Sequence, residues 1–296
     1  MAGHRGVQTG MTQGPSLLLR GGAVFDTDER SFRAGLDILC RDGRIAEIGR
    51  SLDAAGARVI DCEGAYVIPG LIDCHVHLSS SGEANDLGQA TQEPLALRAW
   101  RMAEHARATV EAGVTTVRDL GAREHLNIQL AEAIERGIVS GPRVLAAGQA
   151  VTMTGGHGHG FIAREADGPD EVRKAVREQL RAGARAIKLI ASGGVMTPGV
   201  DPRSPSFTLE ELAAGVEEGR KAFRVVAAHA QSTAGIKNAV QAGVDSIEHG
   251  VWLDEEAIEM MLDRGTVLVP TLTAPHQIVA GGAGGVLPEY MVAKGQ

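Results

Sequence analysis

From residue 69 onward the sequence alternates between short apolar runs and longer amphipathic stretches, and this repetition constrains the fold more than any other feature. The apolar runs have the length and branched side chains of buried strands, and the stretches between them are long enough for helices. Some helices begin with a capping pattern, as at Thr208-Leu-Glu-Glu211, and several end at a glycine, as at Ala182-Gly183. Strands that alternate with helices of this length form a parallel sheet covered by helices.

The pattern predicts seven strands and six helices in this region. The predicted strands are residues 71–77, 114–119, 143–147, 185–190, 224–229, 244–249 and 266–270. The predicted helices are residues 91–112, 124–137, 169–182, 208–222, 233–242 and 254–264, and a further helix is expected to begin near Leu287. We therefore predict an α/β fold, a TIM-like (β/α) barrel over residues 69–296. A closed barrel has eight such strands, so this one is expected to lack the eighth and to be incomplete at its C-terminus.

Residues 16–68 have a different pattern, with short strands and no room for a helix of useful length. The predicted strands are residues 17–25, 35–40, 44–49 and 58–61, separated by turns such as Arg41-Asp-Gly43. This region is predicted to be a β-sandwich layer that leads without a linker into the barrel. Residues 1–15 are polar and glycine-rich and are predicted to be disordered.

Charge and cysteine content narrow the class of protein. The net charge is −8 and no basic cluster stands out, which argues against a nucleic-acid or anionic membrane partner. No run of about 18 apolar residues occurs, so no membrane span is expected. The three cysteines, Cys40, Cys62 and Cys74, do not form a paired framework, which indicates a reduced, cytoplasmic setting. The sequence leaves a homo-oligomer open.

Four histidines are predicted to lie at the ends of barrel strands. His75 and His77 end the first strand and point to the same side of it, because side chains alternate along a strand. Two such imidazoles can bind one metal ion, although the pair taken alone fits a strand with two exposed histidines equally well. His229 and His249 end the fifth and sixth strands, and functional groups of a parallel barrel collect at that end. Together the four predict a metal site.

Lys188 lies in an otherwise apolar strand, Ala186-Ile-Lys-Leu-Ile190. An unpaired ammonium group inside a barrel is costly in free energy. One interpretation is a lysine whose amine reaches solvent or pairs with a carboxylate. The other is an amine with a lowered pKa that has reacted with CO2, giving a carbamate whose two oxygens bridge two metal ions. The four histidines favour the carbamate.

These residues, taken in order, resemble a known family. The set consists of His75-Val-His77, Lys188 in Ile-Lys-Leu-Ile-Ala-Ser-Gly-Gly-Val195, His229 in Ala-His-Ala230 and His249 in Ile-Glu-His-Gly250, and it is similar to the amidohydrolase superfamily. More narrowly, Thr116-Val-Arg-Asp-Leu-Gly121 and Thr154-Gly-Gly-His-Gly158 resemble its metal-dependent carboxypeptidase and Xaa-Pro dipeptidase branch. That branch includes imidazolonepropionase-like enzymes and ochratoxin-type amide hydrolases. The resemblance runs from about residue 16 to residue 296.

The resemblance implies two divalent metal ions, with zinc the expected ion. His75 and His77 would bind the first metal and His229 and His249 the second, with carboxylated Lys188 and a hydroxide between them. The implied activity is hydrolysis of an amide bond in a small N-acyl amino acid or dipeptide. A cyclic-amide hydrolase or a deaminase of the same superfamily is the alternative enzyme. Deaminase-like relatives usually bind one metal and lack the bridging lysine.

The sequence departs from the family at the eighth strand. Relatives carry an aspartate there in a Gly-Thr-Asp-Ala segment, which completes the shell of the first metal and transfers a proton to the leaving amine. No such segment occurs in this chain, and the aspartates after His249 are Asp254 and Asp263, both in a predicted helix. We therefore expect a chain truncated relative to the family, and an inactive fragment is a further alternative.

A glycine-rich loop and one strand end are the candidates for substrate contact. By resemblance, His157 in the loop would contact the substrate or polarise its carbonyl, and Gly156 would let the backbone approach a ligand. The loop could instead be a flexible surface segment, or an adventitious metal site formed by His157 and His159. Gln231 stands where many peptidase relatives carry an aromatic residue that contacts the substrate carboxylate, and an amide can form hydrogen bonds but cannot stack.

Arg118 and Asp119 end the second predicted strand of the barrel. We expect them to form a structural ion pair near the barrel mouth rather than to take part in catalysis.

Overall fold

The computed structural model describes residues 16–82, 91–283 and 287–295 of the protein. The chain divides into two compact units, residues 1–70 and residues 71–296. The predicted disorder of residues 1–15 lies outside the described ranges. Cys40, Cys62 and Cys74 are free thiols, as their spacing predicted. Within the described ranges, no helix combines the length and apolarity that crossing a membrane requires.

The first unit is a five-stranded sheet. Its strands are β1 (Leu17–Asp26), β2 (Ser31–Arg41), β3 (Arg44–Gly49), β4 (Arg58–Asp61) and β5 (Tyr66–Val67). The order is β3-β2-β1-β4, with β5 beside β1, and the first three strands are antiparallel. The turn between β2 and β3 has positive φ angles at Asp42 (52°) and Gly43 (72°), the backbone that a two-residue hairpin requires. The predicted all-strand character of this region is confirmed.

The second unit alternates strands and helices. Its strands are β6 (Leu71–Val76), β7 (Val114–Asp119), β8 (Arg143–Ala146), β9 (Ala150–Thr152), β10 (Ala163–Glu165), β11 (Ala186–Ile190), β12 (Val225–Ala230), β13 (Ser246–His249) and β14 (Val267–Val269). Its helices are α1 (Leu95–Glu111), α2 (Leu126–Glu135), α3 (Pro169–Ala182), α4 (Leu209–Lys221), α5 (Thr233–Ala242), α6 (Glu255–Arg264), α7 (Thr273–Ala283) and α8 (Glu289–Gly295), with a 3-10 turn at Arg123–His125.

The strands of this unit are parallel and form two sheets. One has the order β6-β7-β8 and the other the order β10-β9-β11-β12-β13-β14. The amide of Arg185 donates to the carbonyl of Ala146 over 2.8 Å, which connects the end of β8 with the residue before β11. The predicted α/β class with a parallel sheet and covering helices is confirmed. In the described part of the chain, β14 is a terminal strand that pairs with β13.

All seven predicted strands and six predicted helices form, with ends shifted by at most a few residues. Sequence patterns missed β5, β9 and β10, because runs of two or three residues carry too little periodicity to be recognised. Helix α7 was also missed, since Pro275, Gly281 and Gly282 weaken its helical pattern.

Alternation along the strands separates two faces of the larger sheet. On β11, Ile187 and Leu189 pack into the main core with residues of the covering helices, such as Val176, Leu212 and Ile236. Ala186 and Lys188, at the alternate positions, lie on the opposite face. The same alternation puts Ala227 and His229 of β12, and Ser246 and Glu248 of β13, on that opposite face. This face, where the small Ala186 and Ala227 belong to one cluster, carries the polar groups described next.

Candidate metal centre

Five imidazole rings form a continuous series at the ends of the strands. Neighbouring ring centroids are 5.4 Å apart for His77 and His75, 4.9 Å for His75 and His249, and 4.6 Å for His249 and His229. The ring of His157 lies 4.6 Å from that of His229 and is tilted 34° to it. The structure therefore brings together all five histidines that the sequence analysis selected.

A hydrogen bond to one nitrogen orients each of the four strand-end rings. The Nδ1 atom of His77 donates to the carbonyl of Gly121 over 2.9 Å, and the Nε2 atom of His229 donates to the carbonyl of Gly193 over 2.8 Å. His75 donates from Nδ1 to Glu248 over 2.7 Å, and the Nδ1 atom of His249 lies 2.7 Å from Thr271 Oγ1. A neutral imidazole that donates from one nitrogen presents a lone pair on the other. That nitrogen is Nε2 in His75 and Nδ1 in His229.

Glu248 belongs to the candidate site, although no sequence motif indicated it. Its side chain is fully buried and accepts hydrogen bonds from His75, from Arg118 Nη2 (2.7 Å) and from Ser246 Oγ (2.6 Å). Histidines that bind metals usually donate their second nitrogen to such a carboxylate, which fixes the ring and its tautomer. The glutamate directly before His249, near the end of a predicted strand, was the available sequence signal.

The predicted ion pair between Arg118 and Asp119 is wrong. Adjacent residues of a strand point to opposite faces, so Arg118 reaches Glu248 instead. Asp119 accepts from the amide of Leu78 (2.9 Å), the amide of Gly121 (3.2 Å) and the side chain of Asn127 (2.8 Å). Asp119 thus holds the backbone of Leu78, which follows His77, and the backbone of Gly121, whose carbonyl orients the His77 ring. Burial raises the pKa of Asp119, against the lowering effect of His77.

The amine of Lys188 is buried without a hydrogen-bond partner among the described residues. The residue is 2% exposed, and among the described residues its amine has no ion-pair partner, so neither ordinary interpretation, an amine in solvent or an ion pair, holds there. Burial lowers the pKa of Lys188 to about 7, although the nearby charge of Glu248 opposes this shift. The Lys188 charge in turn lowers the pKa values of four histidines: His75, His157, His229 and His249.

Burial favours the neutral form of four of these histidines. Burial lowers the pKa of His157 to about 3, and it holds the pKa values of His75, His229 and His249 well below their ordinary range. Positive charge on neighbouring groups lowers these pKa values further. Neutral imidazole is the form that binds metal ions.

The donor set fits a pair of cations joined by a modified lysine. Within residues 16–82, 91–283 and 287–295, no group of three or more His, Cys, Asp and Glu side chains is arranged so that it could hold a metal ion. The centre that the resemblance implies would not need such a group, because two histidines would serve each cation and a carbamate on Lys188 would serve both. The unpartnered amine of Lys188 lies on the same face of the sheet as His229.

The backbone at the end of β13 is strained. His249 has a φ of 75° and Thr271, which contacts its ring, has a φ of 49°. Left-handed backbone at residues other than glycine costs on the order of 1–3 kcal/mol and is concentrated at functional sites. The strain occurs where the His249 ring meets those of His75 and His229.

The loop that carries His157 is ordered by specific contacts. His157 is 8% exposed, and its Nδ1 atom lies 2.8 Å from Thr197 Oγ1, so the interpretation as a flexible surface loop is wrong for this residue. A Cβ atom on Gly156 would lie 2.3 Å from Thr152 Oγ1, so no side chain fits there. The Nδ1 atom of His159 contacts the carbonyl of Gly156 over 2.7 Å, and the ring is not among the ring contacts described above.

Gln231 lies two residues after His229 at the end of β12. It is 8% exposed, and its backbone N–H donates to Ser192 Oγ over 2.8 Å. Its side-chain Oε1 atom has no partner among the described residues. A buried carbonyl oxygen without a donor costs free energy. The Oε1 atom of Gln231 is therefore available to accept a hydrogen bond at this end of the strand.

Fold and site together define an α/β-barrel protein with a centre of histidines and one lysine at the ends of its parallel strands. The amidohydrolase family matches residues 66–281, and the chain belongs to this family. The family resemblance predicted from the motifs is thereby confirmed.

Similar proteins agree with this membership. Ochratoxinase from Aspergillus niger is 35% identical over 248 residues, which are 75% of this chain and 51% of that protein. A prolidase solved in complex with N-methylphosphonate-L-proline is 37% identical with a TM-score of 0.88, covering 95% of this chain and 72% of that one. An Xaa-Pro dipeptidase solved with bound methionine is 31% identical with a TM-score of 0.83, covering 95% and 73%. The chain spans about half the length of the ochratoxinase it matches.

Proposed function

We propose that the protein hydrolyses the amide bond of a small N-acyl amino acid or dipeptide with a hydroxide held between two divalent metal ions, zinc being the expected metal. The observation that carries this proposal is the buried, unpartnered amine of Lys188 among neutral imidazoles. A bound pair of cations would lower the pKa of water and polarise the scissile carbonyl.

In this proposal the ligands fall into two pairs. His75 and His77 would bind one cation, and His229 and His249 would bind the other. The neutral amine of Lys188 would add to CO2 and release a proton, and the resulting carbamate would be a further ligand for the cations. The lowered pKa of Lys188, about 7, supports this step because only the uncharged amine reacts. Arg118 neutralises Glu248, which holds the ring of His75.

Three residues would contact the substrate. His157, beside His229, would hydrogen bond to the scissile carbonyl, and Gln231 would donate or accept at the far end of the substrate. Gly156 would keep the loop close to the ligand, since any side chain there clashes with Thr152. The bound N-methylphosphonate-L-proline of the prolidase relative supports Xaa-Pro dipeptides as one substrate class.

The first experiment measures metal content and turnover together. Purified protein is analysed for zinc per chain and assayed on N-acyl amino acids and Xaa-Pro dipeptides, with a cyclic amide and an aminated heterocycle for the two alternatives. Two metals with amide hydrolysis support the proposal. One metal with deamination contradicts it and favours a deaminase, and two metals without turnover indicate that the acid/base group is lacking.

The carbamate has an experiment of its own. Protein equilibrated with carbon-13 bicarbonate should give a carbamate signal in a carbon-13 NMR spectrum, and this signal should be absent in Lys188→Ala. Acetate should partly restore the activity of Lys188→Ala, because a carboxylate in the emptied space provides the same two oxygens. Lys237→Ala is the matched control, since Lys237 pairs with Asp254 and Glu256 at the surface. Equal loss in both lysine variants would contradict the bridging role.

A further inference from the structure

The hydroxyl of Thr197 makes two hydrogen bonds in a buried position. Thr197 is 1% exposed, and its Oγ1 atom accepts from the amide of Gly158 over 3.0 Å. The same oxygen lies 2.8 Å from the Nδ1 atom of His157. The hydroxyl oxygen could accept a second hydrogen bond, but its own proton has no other acceptor among the described residues, so in this buried position the proton is donated to the second contact. Donation to Nδ1 requires that this nitrogen carry no proton, and the ring proton of His157 is then on Nε2.

We propose that Thr197 is a positioning residue that holds His157 in the tautomer protonated on Nε2. The inference rests on the proposed function, in which His157 faces the scissile carbonyl. In this tautomer Nε2 donates a hydrogen bond to the carbonyl oxygen, whose negative charge grows as the carbonyl is attacked. The opposite tautomer would direct a lone pair at that oxygen and would oppose the reaction.

The loop that carries Thr197 is fastened at its backbone. Lys294 of α8 donates to the carbonyl of Thr197 over 2.7 Å and to that of Val200 over 2.6 Å. The hydroxyl of Tyr290, also on α8, donates to the carbonyl of Met196 over 3.1 Å. Three hydrogen bonds from one helix thus hold the residues on both sides of the Thr197 side chain. The hydroxyl is therefore fixed relative to the helix rather than carried by a free loop.

Close contacts also fix the ring of His157. A Cβ atom on Gly194 would lie 2.6 Å from three atoms of this ring, so the backbone of Gly194 packs directly against it. His229 contacts the ring as well, at 4.6 Å between centroids. A 180° flip of the ring, which would exchange Nδ1 with Cδ2 and Nε2 with Cε1, would have to displace these neighbours. The Thr197 hydroxyl therefore determines the tautomer, and a ring flip cannot remove Nδ1 from this hydrogen bond.

Nitrogen-15 NMR tests the tautomer without any turnover. Long-range proton–nitrogen correlation of histidine-labelled protein distinguishes a protonated from an unprotonated ring nitrogen, and His157→Gln assigns the signals. We expect the wild-type His157 signal to show a proton on Nε2, Thr197→Ser to keep it, and Thr197→Val to give a mixture of tautomers. A wild-type proton on Nδ1 would overturn the inference.

Kinetics on the best amide substrate provide the second measurement. We expect Thr197→Val to lower kcat by about tenfold and leave KM within about twofold, the size expected for loss of one oriented donor. Thr197→Ser keeps the hydroxyl and should retain the wild-type kcat, as should Thr109→Val, a matched control on α1. Equal losses in the serine and valine variants would overturn the positioning role. If no amide is hydrolysed, the proposed function fails while the NMR result still decides this inference.

Discussion

At the scale of single residues, the buried amine of Lys188 lowers the stability of the folded protein. Its amine is buried beside Arg118 and the histidine rings without a hydrogen bond in the described structure. Burial lowers the pKa of Lys188 from 10.5 to about 7. Between these two pH values the unfolded chain holds one more proton than the folded chain, so stability rises with pH across that window. At neutral pH most of the penalty for burying the amine is still present.

Replacing Lys188 by an apolar side chain should therefore stabilise the metal-free protein. We expect Lys188→Met to raise the free energy of unfolding by up to about 4 kcal/mol at pH 7, with a gain that shrinks toward pH 10.5. Urea unfolding in the presence of a chelator measures this difference. Lys237→Met serves as the control and should show no gain. A destabilised Lys188→Met protein would mean that the amine has a stabilising partner.

At the scale of elements, the first residue of a helix is determined by capping side chains that can be recognised in the sequence. The side chain of Thr208 accepts from the backbone amide of Glu211. The carboxylate of Glu211 in turn accepts from the backbone amide of Thr208 over 2.8 Å. The other oxygen of Glu211 accepts from the amide of Gly168 over 2.7 Å, just before α3 begins. The capping box that begins α4 therefore also ties α4 to the start of α3.

Removal of the threonine cap should weaken the protein measurably. Thr208→Ala is expected to lower the free energy of unfolding by about 1 kcal/mol, because the amide of Glu211 loses its acceptor. Thr208→Ser keeps an oxygen in place and should remain within a few tenths of the wild type. Thermal and urea unfolding of the three proteins give the comparison. A loss of the same size in the serine variant would assign the effect to the lost methyl group.

At the scale of the whole molecule, acid stability depends on the buried imidazoles. Burial lowers the pKa values of His75, His157, His229 and His249, so the unfolded chain takes up protons before the folded chain does. The contribution of these histidines to stability is then complete above the ordinary histidine pKa of about 6.5 and falls as the pH decreases below it. For His157 the loss continues down to its folded pKa of about 3.

The metal-free protein should accordingly unfold more easily as the pH falls from 7 to 5. Each buried histidine contributes a slope of up to about 1.4 kcal/mol per pH unit below about pH 6.5. Urea unfolding at a series of pH values measures the total slope. His157→Gln should reduce it by one such increment, whereas His276→Gln, at an exposed position, should leave it unchanged. A slope that is the same in all three proteins would show that these rings are not buried in neutral form.

The sequence alone predicted the strands and helices, because side-chain periodicity and caps act within a few residues. It also selected His75, His77, Lys188, His229 and His249, since strand-end residues of a parallel sheet meet at one edge.

Only the tertiary structure decided the partners of these groups. The contact between His75 and Glu248 joins residues 173 positions apart, and that between Arg118 and Glu248 joins residues 130 apart. No local pattern encodes such pairs. The motifs therefore indicated neither Glu248 nor Thr197, and Arg118 was expected to pair with its neighbour Asp119. Periodicity tells which face of a strand a side chain occupies, whereas the packing of distant segments determines what it meets there.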